Sequence, residues 1–214
     1  MLGPPGAGKG TQARIVAERL GLPHLASGDL FRTERDAGTS LGREAESYMA
    51  RGELVPDELT IRMVDARLSG ADARAGAILD GFPRTGTQAI ALDRLLAQRG
   101  AGVSSAVFID VDREYLLKRL AGRWICPLVP DHVYHLVYRP PRVAGLCDED
   151  GAVLEQREDD RPATVEARLD LQVPPLMEVV EHYRAQGALT TVDGTGPIEQ
   201  VTDDVLRAIA QPAR

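Results

Sequence analysis

Helical and strand-like apolar patterns alternate along the 214-residue chain. Ile15, Val16, Ala17 and Leu20 form one stripe of a helix predicted from about Gly8 to Leu20, with Gly21 as its stop. His24-Leu25-Ala26 reads as a short strand, and Asp29 as the N-cap of a helix carrying Leu30 and Phe31. Two short helices are expected around Gly38 and Gly52. Pro56-Asp57 opens another, to about Leu68. The run Ala77-Ile78-Leu79-Asp80 predicts a buried parallel strand ending in a carboxylate. A helix follows from about Thr87 to Ala97. Residues 106–111 form the clearest strand, and residues 113–123 a helix. Leu189 to Val192 is the last strand, and 198–210 the last helix.

Residues 123–160 break this rhythm. They hold the single tryptophan, Trp124, and both cysteines. Val133 to Tyr138 alternates like a strand, which predicts a small β insertion. A helix resumes at Pro162, runs to about Gln186, and is expected to bend at Pro174-Pro175. The whole reads as a parallel α/β core with insertions.

Composition narrows the function classes. A net charge of −7 argues against a nucleic-acid surface. Anionic ligands would need basic groups gathered locally. No run of about 18 apolar residues suggests a membrane span, so a cytoplasmic protein without membrane partners is expected. Cys126 and Cys147 are too few and too close for a secreted disulfide scaffold.

The chemistry is concentrated at the start. In Gly3-Pro4-Pro5-Gly6-Ala7-Gly8-Lys9-Gly10-Thr11, residues Gly3, Gly8 and Lys9 fit the phosphate-binding loop G-x-x-x-x-G-K-[ST]. Glycines let backbone N–H groups turn toward phosphate oxygens, and the following helix aims its positive end at the same anion. Gly10 stands where Ser or Thr is usual. Asp80 and Arg84 flank the C-terminal end of a predicted strand, where open α/β sheets bind ligands. On spacing alone, Arg119 and Arg123 share one helix face and read as solvated.

Taken together, these motifs resemble adenylate kinases of the long-lid type over essentially the whole chain. The resemblance rests on Gly3 to Thr11 with its Lys-Gly-Thr variant, Ser27-Gly28-Asp29 with Arg32, and Asp80-Gly81-Phe82-Pro83-Arg84 with Gln88. It also rests on Arg119 with Arg123, Tyr134-His135, Arg157 with Asp159-Asp160, Arg168, and Asp193-Gly194. It implies reversible transfer between MgATP and AMP, giving two ADP, on a five-stranded parallel P-loop sheet flanked by helices. The core would be 1–25, 56–122 and 161–214, with an AMP-binding insertion at 26–55 and a lid at 123–160. Gly6, Ala7, Gly8, Lys9, Gly10, Thr11, Arg119, Arg123, Val133, Tyr134 and Gly196 would meet ATP. Ser27, Arg32, Glu53, Leu54, Val55, Gly81, Phe82, Pro83, Arg84 and Gln88 would meet AMP, with Gln88 as base reader. Arg157 and Arg168 would clamp the migrating phosphate, oriented by Asp159 and Asp160. Asp80 would hold Mg²⁺ through water. A monomer is expected. Competing readings are a kinase for another nucleoside monophosphate and a nucleotide-binding protein of reduced activity.

Two departures from the family pattern stand out. Many long lids carry zinc on Cys-x-x-Cys followed by Cys-x-x-Cys or Cys-x-x-Asp. Here Val129 stands at the second position, while Cys126, Cys147 and Asp150 are kept and His132 is a conceivable substitute. Structural zinc takes four protein ligands, so weak zinc binding or none is the expectation. In addition, only Met1 and Leu2 precede Gly3, where the family has a full strand. The expectation is a truncated first strand, with apolar residues upstream in the natural product.

Overall fold

The computed structural model describes residues 1–129, 132–156 and 160–210. Helix α1 (Lys9–Leu20) follows the glycine-rich loop and leads to β1 (His24–Ala26). Helices α2 (Ser27–Asp36), α3 (Ser40–Ala50) and α4 (Asp57–Leu68) come next, then a 3₁₀ turn at Ala71–Ala75 and β2 (Ile78–Asp80). After α5 (Gly86–Ala97) come β3 (Ala106–Asp110), α6 (Arg113–Ala121), β4 (Arg123–Ile125) and β5 (Val133–His135). Helix α7 (Pro162–Ala185), β6 (Leu189–Asp193) and α8 (Ile198–Ala210) complete the order.

Several boundaries differ from the sequence expectation for local reasons. Helix α2 begins at Ser27, so Asp29 sits inside its first turn instead of capping it. A single helix, α3, lies between Gly38 and Gly52. Thr39 caps it, its hydroxyl accepting from the Gly42 N–H at 3.0 Å. Strand β5 stops at His135, because the imidazole Nδ1 accepts from the backbone N–H groups of Val137 and Tyr138 and turns the chain. Helix α7 continues through Pro174 and Pro175 as one 24-residue element.

The sheet also differs from one continuous five-stranded layer. Strands β1 and β2 pair in parallel, as do β3 and β6, and β4 pairs with β5 antiparallel. Leu2 lies beside β3 in a single parallel bridge to Phe108. Its N–H donates to Val107 O at 2.7 Å and its carbonyl accepts from the Ile109 N–H at 2.9 Å. The Met1 amino group donates to Leu79 O of β2 at 2.8 Å, so residues 1–2 span the gap between the two parallel pairs.

Burial explains the layering. On β3, Ala106 and Phe108 pack with Ala89 of α5 and with Leu176, Val179 and Tyr183 of α7. Val107, on the opposite side of the strand, packs with Val16 of α1 and with Val201 and Val205 of α8. This strand-period alternation places helices on both faces. Two small satellite cores stand apart. Phe31, Ala45, Val55 and Leu59 hold α2, α3 and α4 together. Cys126, Tyr134, Cys147 and Leu154 hold the β4–β5 region. Among the described residues, no helix is long and apolar enough to cross a membrane.

Candidate functional site

The glycine-rich loop emerges from the gap between β2 and β3 and feeds α1. Gly8 is the N-cap of α1 at φ 94°, a left-handed conformation in which a side chain would be strained. Gly10 has a different reason. A Cβ there would lie 3.3 Å from Asp80 Oδ2, a tight approach that would press a larger residue against the carboxylate at the end of β2.

Lys9 is half-buried, and its Nζ donates to Pro4 O at 2.9 Å, closing the loop on itself. Burial pushes its ammonium down to about 7; Asp80 opposes this, while Arg84, Arg168 and Arg123 add to it. Asp80 is affected in the other direction. Burial works against its ionisation, but the hydrogen bond from His24 and the charge of Lys9 hold the carboxyl below the usual carboxylate range. His24 Nε2 lies 3.3 Å from Asp80 Oδ2.

The arginines are held by acceptors from separate elements. Arg123, first residue of β4, donates from Nε and Nη2 to the two oxygens of Asp160, each at 2.6 Å. Arg168 of α7 donates to the same carboxylate at 3.2 Å, and Asp160 is completely buried. One acid therefore orients two cations, in the planar fork geometry that guanidinium favours. Arg84 donates from Nε to Gly81 O at 2.7 Å and from Nη1 to Gln172 Oε1 at 3.2 Å. The Gln172 amide in turn donates to Gly52 O at 2.7 Å. Arg119 donates to Gly194 O at 2.9 Å and lies over the Tyr115 ring, 5.7 Å from its centroid. Arg32 pairs with Asp29, and the Ser27 hydroxyl donates to Gly81 O at 2.6 Å.

These groups surround one cavity of about 820 Å³. Gly6 through Thr11, Arg119, Arg123, Val133, Tyr134 and Gly196 line it, as do Ser27, Arg32, Glu53, Leu54, Val55, Gly81, Arg84, Gln88, Arg168 and Asp80. Phe82 does not: it is buried against Val64 and Leu92. Pro83 faces a separate small cavity. Asp160 stands behind the arginines it orients. Arg157 and Asp159 lie outside the described residues. Sequence reasoning missed Gln172, Tyr115 and the role of His24 beside Asp80. Tyr115 stands four residues before Arg119 on one helix face, a spacing that could have found it. Gln172 stands in the same relation to Arg168.

The expectation of weak zinc binding or none is corrected by the β4–β5 region. Cys126, His132, Cys147 and Asp150 bring one ligand atom each to within 4.8 Å of the others, a cluster capable of holding a metal ion. Cys126 Sγ lies 3.1 Å from Asp150 Oδ2, and His132 Nδ1 lies 3.4 Å from Cys147 Sγ and 3.5 Å from Asp150 Oδ2. Zinc bonds of about 2.0–2.3 Å in a tetrahedron put ligands some 3.3–3.8 Å apart, so the set fits without large movement. His132 offers the fourth ligand atom in place of the Cys absent at Val129. The Val129 N–H donates to Cys126 Sγ at 3.4 Å, and its carbonyl accepts from the His132 N–H at 2.9 Å, turning the chain so that the imidazole reaches the thiols. Around Cys147, burial disfavours a thiolate, yet the Tyr134 hydroxyl and the backbone N–H groups of Glu149 and Asp150 outweigh it and lower the thiol's pKa.

Comparison with known proteins agrees with this geometry. The family model described as adenylate kinase matches residues 1–188. The adenylate kinase of Streptomyces griseus is 44% identical over 209 residues, covering 98% of this chain and 95% of that protein. The adenylate kinase of Staphylococcus epidermidis is 46% identical over 206 residues, covering 96% and 95%. That of Staphylococcus aureus is 45% identical over the same length. A glycine-rich loop with its lysine, arginines drawn from four elements and a loop around one cavity, and likeness along nearly the full chain lead to one conclusion: the protein belongs to the adenylate kinase family.

Proposed function

We propose that the two nucleotides of the adenylate kinase reaction, ATP + AMP ⇌ 2 ADP, meet in the 820 Å³ cavity, with the migrating phosphoryl group between Lys9, Arg84, Arg123 and Arg168. The convergence of these four cations on one cavity carries the reading. Direct transfer between bound nucleotides needs no protein nucleophile; it needs in-line positioning and neutralised charge. The loop amides and Lys9 hold the ATP phosphates, and Arg119 and Tyr134 flank the rest of that nucleotide. Ser27, Arg32, residues 53–55, Gly81 and Arg84 hold AMP, and Gln88 reads its base. Asp160 fixes Arg123 and Arg168 in advance, so little reorganisation accompanies transfer. Asp80 has the donor chemistry to hold Mg²⁺ through water, and the ion would neutralise charge on the ATP phosphates.

In this reading residues 26–55 are the AMP-binding unit and 123–160 a lid that excludes water, the competing acceptor. The two parallel strand pairs, joined at residues 1–2, work as one sheet with the loop at its centre. Action as a monomer in the cytoplasm is the expected setting.

A coupled assay for ADP formation from ATP and AMP tests the assignment. Lys9→Met and Arg84→Ala should each lower turnover by at least about 100-fold, with the far-ultraviolet spectrum unchanged. Near-normal turnover in either variant overturns the site.

A further inference from the structure

We infer that Asp57, which is not part of the cavity wall, sets the enzyme's choice of base by fixing which way the Gln88 amide points. The inference rests on Gln88 reading the base, as proposed above. Asp57 opens α4, and its Oδ1 accepts from Gln88 Nε2 at 2.8 Å. Its Oδ2 accepts from the Thr85 hydroxyl at 2.9 Å. On the other side, Gln88 Oε1 accepts from the backbone N–H of Arg84 at 2.7 Å.

These neighbours are one-way partners. A carboxylate only accepts and a backbone N–H only donates. Flipping the amide would set oxygen against carboxylate and NH₂ against N–H. Gln88 is only 2% exposed, so water would not relieve the conflict. The orientation is therefore decided by Asp57 and Arg84, and it leaves one amide proton and one carbonyl lone pair uncommitted.

That orientation discriminates between purines. Adenine offers an N6 donor beside an N1 acceptor. Hypoxanthine and guanine offer an O6 acceptor beside an N1–H donor, the same pattern reversed. With the phosphate held by arginines, the base cannot turn over to compensate. An amide locked in one order pairs with adenine and opposes the other two. Asparagine at position 57 has the same shape but both donates and accepts, so it no longer opposes a flipped amide and leaves the Arg84 N–H alone to hold the order, which weakens the lock. Asp57 is thus a positioning residue acting through Gln88.

The experiment measures kcat/KM for AMP and for IMP at saturating MgATP. Asp57→Asn should lower the AMP:IMP ratio about tenfold, the scale of one bidentate amide–base pair, with the KM for ATP unchanged. Glu58→Gln removes a neighbouring, exposed charge from the same helix turn and should keep the wild-type ratio. Asp57→Ser, which also donates and accepts, serves if the asparagine variant does not fold. Gln88→Leu separates the two readings. If it raises the AMP KM while the Asp57 variants keep the wild-type ratio, Gln88 reads the base and the inference about Asp57 is wrong. If Gln88→Leu leaves the AMP KM unchanged, base reading by Gln88 is wrong, and this inference with it.

Discussion

Lys9 shows how one side chain can couple the closure of its loop to ligand binding. With its pKa near 7, it is only partly charged at neutral pH while it donates to Pro4 O. The unfolded chain would hold that proton up to about 10.5, so between the two values the unfolded form binds more protons and stability rises with pH. A polyphosphate reverses the situation by favouring the ammonium. Nucleotide binding above pH 7 should therefore take up a proton, and affinity for ATP should fall as pH rises from 7 to 9. Calorimetry at pH 8.5 in buffers of different ionisation enthalpy measures the uptake directly. A binding heat independent of buffer, or the same uptake in Lys9→Met, would show that another group is responsible.

At the scale of elements, helix and strand periods were readable wherever one face is buried: Val16 on α1, Val107 on β3, Val201 and Val205 on α8. Ends were less readable, because they depend on distant partners. The Ser27 hydroxyl is taken by Gly81 O, 54 residues away, and α2 starts there without a side-chain cap. Arg84 was legible from its place after a predicted strand, but Arg119, Arg123 and Arg168 only through family resemblance, since spacing alone cannot tell a clamp from a solvated face. Gln172 is signalled only by its four-residue spacing from Arg168, and its role depends on contact with Gly52 and Arg84. The cluster at 126–150 was misjudged because ligands were counted by slot, whereas a turn at Val129 presents His132 instead. Adding zinc to metal-free protein should raise the melting temperature by several degrees, since a ligand bound only to the folded state stabilises it. His132→Ala should abolish that rise while leaving the KM for AMP unchanged. No rise in the unsubstituted protein would mean that the four groups only hydrogen-bond to one another.

For the whole molecule, the strand ends decide where chemistry can occur. Ala26 of β1 and Asp80 of β2 are register partners, as are Asp110 of β3 and Asp193 of β6, and the segments that follow β1, β2 and β6 line the cavity. The ion pair between Arg123 and Asp160 has a consequence of a different kind. These residues begin and end the segment 123–160, proposed above as a lid, so their contact pinches that segment at its neck. A segment closed at its base is insulated from changes in its own length, because closure entropy grows only logarithmically and a doubling costs about 0.6 kcal/mol. Several glycines and serines inserted at the exposed turn of Val143 and Ala144 should leave both KM values within about twofold of the parent, by that small cost. A large rise in either would mean that the outer lid, and not its neck, positions the arginines. The part of the segment beyond this neck is thus where added chain length should be absorbed while Arg123 and Asp160 stay paired.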